Sequence, residues 1–214
     1  MKRTGFLYDE RYLLHKTGSF HPEVPGRLTA IYDGIVQGGL IEKLVRVPAV
    51  PAELQWIVGV HTGEYVKRFE AACRNGKQMF DSPDNQMCAQ TYETALLAVG
   101  GILAACRQVM EGRLDNAFCA VRPPGHHAEA SRAMGFCYFN NVAIAARFIQ
   151  KQFGLARVGI VDFDVHHGNG TQHIFEDDPT VYYYSIHQHP SFAYPGTGRE
   201  FEYGRGDGYG FTKN

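Results

Sequence analysis

The clearest patterning of apolar and polar positions lies in the second half of the chain. Asn116 to Val121 reads as a short buried strand. After a Gly/Pro-rich loop, Asn140 to Phe153 reads as a helix stopped by Gly154. Arg157 to Asp164 (RVGIVDFD) is a strongly β-branched strand, Thr171 to Phe175 a short helix and Val181 to His187 a further strand. Strand, helix, strand, helix, strand at this spacing predicts an α/β fold on a parallel sheet, with ligands outside the carboxyl ends of the strands. Earlier in the chain the pattern predicts helices from Arg27 to Gly38, from Pro51 to Val58, from Thr62 to Arg74 and from Gln90 to Glu111. The Gly100-Gly101 pair weakens the last of these by about 1 kcal/mol per Gly relative to Ala, which predicts close helix packing there.

No repeat, low-complexity tract or linker divides the 214 residues, so a single domain over 1–214 is expected. Lys plus Arg is 21 and Asp plus Glu is 22, a net charge of −1 that makes no case for nucleic-acid or membrane-surface binding. The N-terminus lacks the apolar run of a signal peptide, and the apolar stretch Ala95 to Cys106 is too short to span a bilayer. Five scattered cysteines without a C-x-x-C read as reduced thiols in a cytoplasmic protein. Ten histidines direct attention to metal or acid–base chemistry.

Alternation along a strand puts Asp162, Asp164 and His166 on one face of its carboxyl end. Such a group is costly to desolvate without a partner, and a zinc ion is a natural one. In the alternative, the two carboxylates cap neighbouring helices and His166 faces solvent. Arg122-Pro123-Pro124-Gly125 holds a second polar group, His126-His127, at another strand end, where imidazoles suit acid–base work. His166-His167 leads into Gly168-Asn169-Gly170, a turn that allows close backbone approach.

Residues 122–140 (RPPGHHAEASRAMGFCYFN), 160–172 (IVDFDVHHGNGTQ) and 185–198 (SIHQHPSFAYPGTG) together resemble the histone deacetylase family. The segments His21-Pro22-Glu23-x-Pro25-x-Arg27 and Val60 to Tyr65 fit it too. The resemblance covers residues 6–214 and implies a three-layer α/β/α sandwich on a parallel sheet, shared with arginases. It implies Asp164 and His166 as zinc ligands, His127 as the general base and His126 as its charge-stabilising neighbour, oriented by Asp162. A structural potassium ion is implied at Asp162, Asp164, His166, Ser185 and Ile186, partly through backbone carbonyls. Gly135, Phe136 and Tyr194 match a narrow channel for a lysine chain, and Asp84 matches a rim carboxylate, with Asp81 as competitor. The implied reaction is zinc-dependent release of acetate from acetyl-lysine, an acetylpolyamine or a small acetylated amine.

Asn169 stands where many members of that family carry Asp, a feature similar to its class II branch. The family's third zinc ligand and its Gly-Gly-Tyr tyrosine have no counterpart among these residues. The chain is therefore expected to be the N-terminal portion of a deacetylase, with an unpaired sheet edge, weak zinc binding and little or no turnover by itself. The rivals are a two-manganese arginase-like ureohydrolase, a Cys137–His hydrolase and a non-catalytic module that binds acetylated ligands. Cys137 sits in a segment that reads as packed core. Gly204, Gly206, Gly208 and Gly210 read as a flexible turn, not a phosphate loop.

Overall fold

The computed structural model describes residues 2–214. The first elements are β1 (Thr4–Leu7), α1 (Gly26–Gln37), β2 (Leu44–Val47), α2 (Leu54–Ile57) and α3 (Gly63–Arg74). Next come β3 (Met79–Phe80), β4 (Ser82–Gln86), α4 (Thr91–Met110) and β5 (Asn116–Cys119). The last are α5 (Asn141–Phe153), β6 (Val158–Asp162), α6 (Asn169–Phe175), β7 (Val181–Ser185) and β8 (Thr212–Lys213). Helix ends follow local chemistry. The Thr62 hydroxyl accepts from the Tyr65 N–H to cap α3, and the Asn140 side chain accepts from the Ala143 N–H to cap α5. Gly154 closes α5 in the left-handed region, at φ 69°.

Parallel strands form two three-stranded sheets, β2-β1-β5 and β6-β7-β8, while β3 and β4 make an antiparallel ribbon. The α/β class and parallel pairing agree with the sequence pattern, but one continuous sheet does not form among the described residues. β5 and β6 each end their sheet, and Val161 and Phe163 near the free edge of β6 are exposed. The chain's last residues join a sheet, with Thr212 and Lys213 beside Tyr183 and Tyr184.

Helix α4 links the halves. One side packs Leu97, Ala98 and Ala105 on Phe6 and Leu7 of β1 and Leu28 of α1. The other meets Phe69 of α3 and Ile144 and Phe148 of α5. α5 in turn places Ala143 and Ala146 against Ile160, Val181, Tyr183 and Phe175. Burying a side chain such as the fully enclosed Phe69 stabilises the fold by about 1.5–3 kcal/mol. Among the described residues α4 alone is long and apolar enough to cross a membrane, with mean hydropathy 1.3, and it is this core helix.

Several boundaries differ from expectation. Pro51 lies outside α2, because Val50–Ala52 is instead docked on α4, where the Ala52 N–H donates to the Leu96 carbonyl at 2.9 Å. The close packing expected at Gly100 is real, but its partner is this loop: a Cβ there would lie 1.9 Å from the Val50 carbonyl oxygen. β6 ends at Asp162 and β7 at Ser185, short of Asp164 and His187. The glycine run at 204–210 is packed, not free, since a Cβ on Gly208 would stand 2.4 Å from the Glu176 carbonyl oxygen. The Arg205 N–H also donates to that oxygen, at 2.6 Å.

Candidate active site

The loop after β5 is anchored before it reaches the histidines. Arg122 is 3% exposed and its guanidinium grips both carboxylate oxygens of Glu23 at 2.6 Å, 99 residues away in sequence. It also donates to the carbonyls of Tyr12 and His15, each at 3.1 Å. Burial alone would raise the Glu23 carboxyl, but His15 and Arg122 overcome it and bring the pKa to about 2. His15 Nε2 lies 3.5 Å from Glu23 and makes no hydrogen bond.

His126 and His127 follow, their ring centroids 4.0 Å apart. His126 Nδ1 donates to Asp162 Oδ2 at 2.9 Å, and the Tyr183 hydroxyl donates to the same oxygen at 3.1 Å. Burial pushes the Asp162 carboxyl up, yet the bond from His126 leads the interactions that hold it below the ordinary range. His127 is 4% exposed and pairs through Nδ1 with Asn169 Oδ1 at 2.8 Å. Burial first, and the neighbouring His126 second, lower its pKa to about 4.

Asp164 and His166 sit beside this pair, beyond the end of β6. The alternation argument therefore holds for Asp162 only. A turn gathers the others: Asp164 N–H donates to Asp162 Oδ1 at 3.2 Å, and His166 N–H to Asp164 Oδ1 at 2.8 Å. His166 Nδ1 lies 3.1 Å from Asp164 Oδ1, and His126 Nε2 lies 3.9 Å from that oxygen. Both side chains are about half exposed toward the cavity, at 49% and 44%.

The cavity has a volume of about 730 Å³. His126, His127, Asp164 and His166 line it together with Gly135, Phe136 and Tyr194. The Tyr194 ring stands edge-on to His127 at 5.0 Å. Gly135 has φ 53°, and a Cβ there would come 2.3 Å from His127 Cδ2, so only glycine lets the loop close over that ring. Asp84 is also on the wall and accepts the Gly135 N–H at 3.2 Å. Asp81 is turned instead to Arg68 and the Ala133 N–H. Asp162 and Asn169 stand behind the histidines, outside the lining.

As a metal site, Asp164 and His166 fit zinc in kind, one carboxylate oxygen and one imidazole nitrogen. They fall one short of the three protein ligands usual in catalytic zinc sites. No group of three or more His, Cys, Asp or Glu among the described residues is arranged to hold a metal ion. Two of the oxygens expected around potassium have protein partners. Ser185, opposite Asp162 in the β6–β7 register, donates its hydroxyl to His187 Nδ1 at 2.7 Å, and the Asp162 carbonyl accepts the Ile186 N–H at 2.9 Å. Cys137 is fully buried and burial pushes its thiol up, which suits core packing and not nucleophilic attack.

Sequence reasoning missed Tyr183 behind Asp162, whereas the close approach expected at Gly168 is present, a Cβ there pressing on Asp162 Oδ2 and the Tyr183 hydroxyl. The inward alternation of Val181, Tyr183 and Ser185 along β7 carried the signal for Tyr183. Sequence reasoning also missed Arg27, Arg132 and Met134 on the cavity wall, the first from the start of α1 and the other two from the loop between β5 and α5.

Parallel α/β sheets with a separately backed histidine pair beyond the strand ends define an α/β domain with a candidate acid–base site. Residues 21–214 match the family model described as histone deacetylase domain. The chain belongs to the histone deacetylase family. It is 40% identical over 213 residues to a probable deacetylase of Archaeoglobus fulgidus, covering 99% of this chain and 58% of that protein. It is 38% identical over 230 residues to histone deacetylase 5 of Arabidopsis thaliana, covering 100% of this chain and 34% of the relative. The crystal structure of the HDA15 HD domain superposes with a TM-score of 0.94 at 38% identity, over 100% of this chain and 61% of that one. The chain thus spans less than two thirds of the relatives it matches.

Proposed function

We propose that this site hydrolyses the amide of an acetylated amine, of acetyl-lysine or acetylpolyamine type, to acetate and free amine. The observation that carries the reading is His127: its Nδ1 is engaged by Asn169, it is neutral at pH 7, and it lies on the wall of an aromatic-sided cavity. Its Nε2 accepts a proton from water as the water oxygen bonds to the acetyl carbon, and returns it to the amine as the C–N bond breaks. His126, tied to Asp162, favours negative charge developing on the acetyl oxygen. Phe136 and Tyr194 sheathe the methylene chain, and Asp84 at the wall accepts a backbone N–H of the substrate.

Asp164 and His166 are the residues that would hold zinc; when bound, it supplies a Lewis acid that polarises a carbonyl and acidifies water. A two-donor set predicts weak zinc affinity and low turnover for these 214 residues. The same shortfall favours a second reading, binding of acetylated ligands without turnover. Five free cysteines support a reducing, cytoplasmic setting.

The test is acetate release from an acetyl-lysine peptide with zinc or chelator, alongside calorimetry. The expected result is slow, chelator-sensitive release that His127→Ala lowers by about 10²–10⁴-fold. Binding without release selects the second reading, and release unaffected by His127→Ala overturns the base assignment.

A further inference from the structure

We infer that Glu129 is a positioning residue that locks the Asn169 amide in one orientation and thereby holds His127 as the Nδ1–H tautomer. This rests on the acetyl-amine reading above, and gives the base its open Nε2.

Asn169 is 2% exposed, so its amide must find partners within the protein. Three acceptors surround its Nδ2: Glu129 Oε1 at 2.5 Å, the His127 carbonyl at 3.4 Å and Met134 Sδ at 3.6 Å. None of the three can donate, so the nitrogen belongs on that side. Turning the amide over would set Asn169 Oδ1 against the Glu129 carboxylate, oxygen to oxygen. With the nitrogen fixed, Oδ1 can only accept, and the group 2.8 Å from it is His127 Nδ1. The proton therefore sits on Nδ1, leaving the Nε2 lone pair free.

Glu129 is suited to this task because it is itself held. The same Oε1 accepts from His173 Nδ1 at 2.8 Å, its N–H donates to the Arg132 carbonyl at 2.9 Å, and its carbonyl accepts from His61 Nδ1 at 3.0 Å. It does not line the cavity, so it acts through Asn169 and not on substrate. The carboxylate missing at position 169 is thus present one residue further out. A charged acceptor bonds the amide more strongly than a neutral one would.

The experiment is long-range proton–nitrogen NMR on the full 214-residue chain labelled at histidine, with His127→Ala used to assign the ring. The wild type is expected to show His127 as Nδ1–H alone. Glu129→Ala should give a mixture of tautomers, and Glu129→Gln, which keeps an acceptor of the same shape, should restore the single form. Glu129→Lys offers donors only and should move His127 toward Nε2–H; it decides the matter where the Ala variant does not fold. Nε2–H in the wild type, or a His127 indifferent to both Ala and Lys, overturns the inference. In acetate release, Glu129→Ala should lower kcat by about 10-fold or more at unchanged KM, toward the roughly 10⁴-fold cost of a wrong tautomer. An inactive wild type with the expected tautomer pattern counts against the acetyl-amine reading and leaves the role of Glu129 standing.

Discussion

Gly100 and Gly34 are both helical glycines, and replacing each by Ala should change stability in opposite directions. Propensity favours Ala at either site by about 1 kcal/mol. Around Gly34, on exposed α1, a new Cβ meets nothing within 4 Å, so that gain is realised. At Gly100 the Cβ would lie 1.9 Å from the Val50 carbonyl oxygen, 2.5 Å from the Ala52 nitrogen and 2.6 Å from the Pro51 carbonyl carbon. All three are backbone atoms, and no rotamer change relieves the clash. The Val50–Ala52 segment must retreat, at an overpacking cost of about 1–3 kcal/mol. Its Ala52–Leu96 hydrogen bond goes with it, a further loss of about 0.5–1.5 kcal/mol. Set against the propensity gain, the net expectation is destabilisation of about 2 kcal/mol. For a domain of this size that lowers Tm by about 6 °C, while Gly34→Ala raises it by about 3 °C. Urea unfolding and calorimetry of the two variants measure this directly. A Gly100→Ala protein as stable as the wild type refutes the docking of this loop on α4.

Other expectations follow from the backing of the histidines. A Cβ on Gly168 would lie 2.3 Å from Asp162 Oδ2 and 2.6 Å from the Tyr183 hydroxyl. Gly168→Ala should therefore push Asp162 off His126 and lower kcat by about 10–100-fold with unchanged circular dichroism; unaltered kcat would show that the pair is not needed. His61 Nδ1 donates to the Glu129 carbonyl and its Nε2 accepts the Asn140 N–H, so both nitrogens are used by the neutral ring. Burial lowers its pKa from 6.5 to about 4. The unfolded chain takes up the proton first as pH falls, so this stabilisation is complete above 6.5 and is lost on acidification toward 4. A His61 NMR titration with a midpoint near 6.5 would remove the basis for that window.

The parallel α/β class was legible because each later strand and helix carries its own pattern: β-branched runs in β6 and β7, and an Asn cap and Gly stop around α5. The candidate chemistry was legible because its residues are neighbours in sequence, His126 with His127 and Asp162 with Asp164 and His166. Contiguity does not convey which atom faces which. Only the folded chain puts Tyr183 on Asp162, Glu129 on Asn169, and Arg122 on a Glu23 that lies 99 residues away. It also puts Asp84 and not Asp81 on the cavity wall, because that depends on how the β3–β4 ribbon meets the Gly135 loop. The two short glycine stretches show the same division. Their weak helix or turn propensity is visible residue by residue, but the backbone that presses on Gly100, and on Gly208, comes from a distant segment. Local pattern determines which elements form, since it depends on near neighbours along the chain. Orientation, tautomer and register are settled by contacts between segments, and those exist only once the elements have packed.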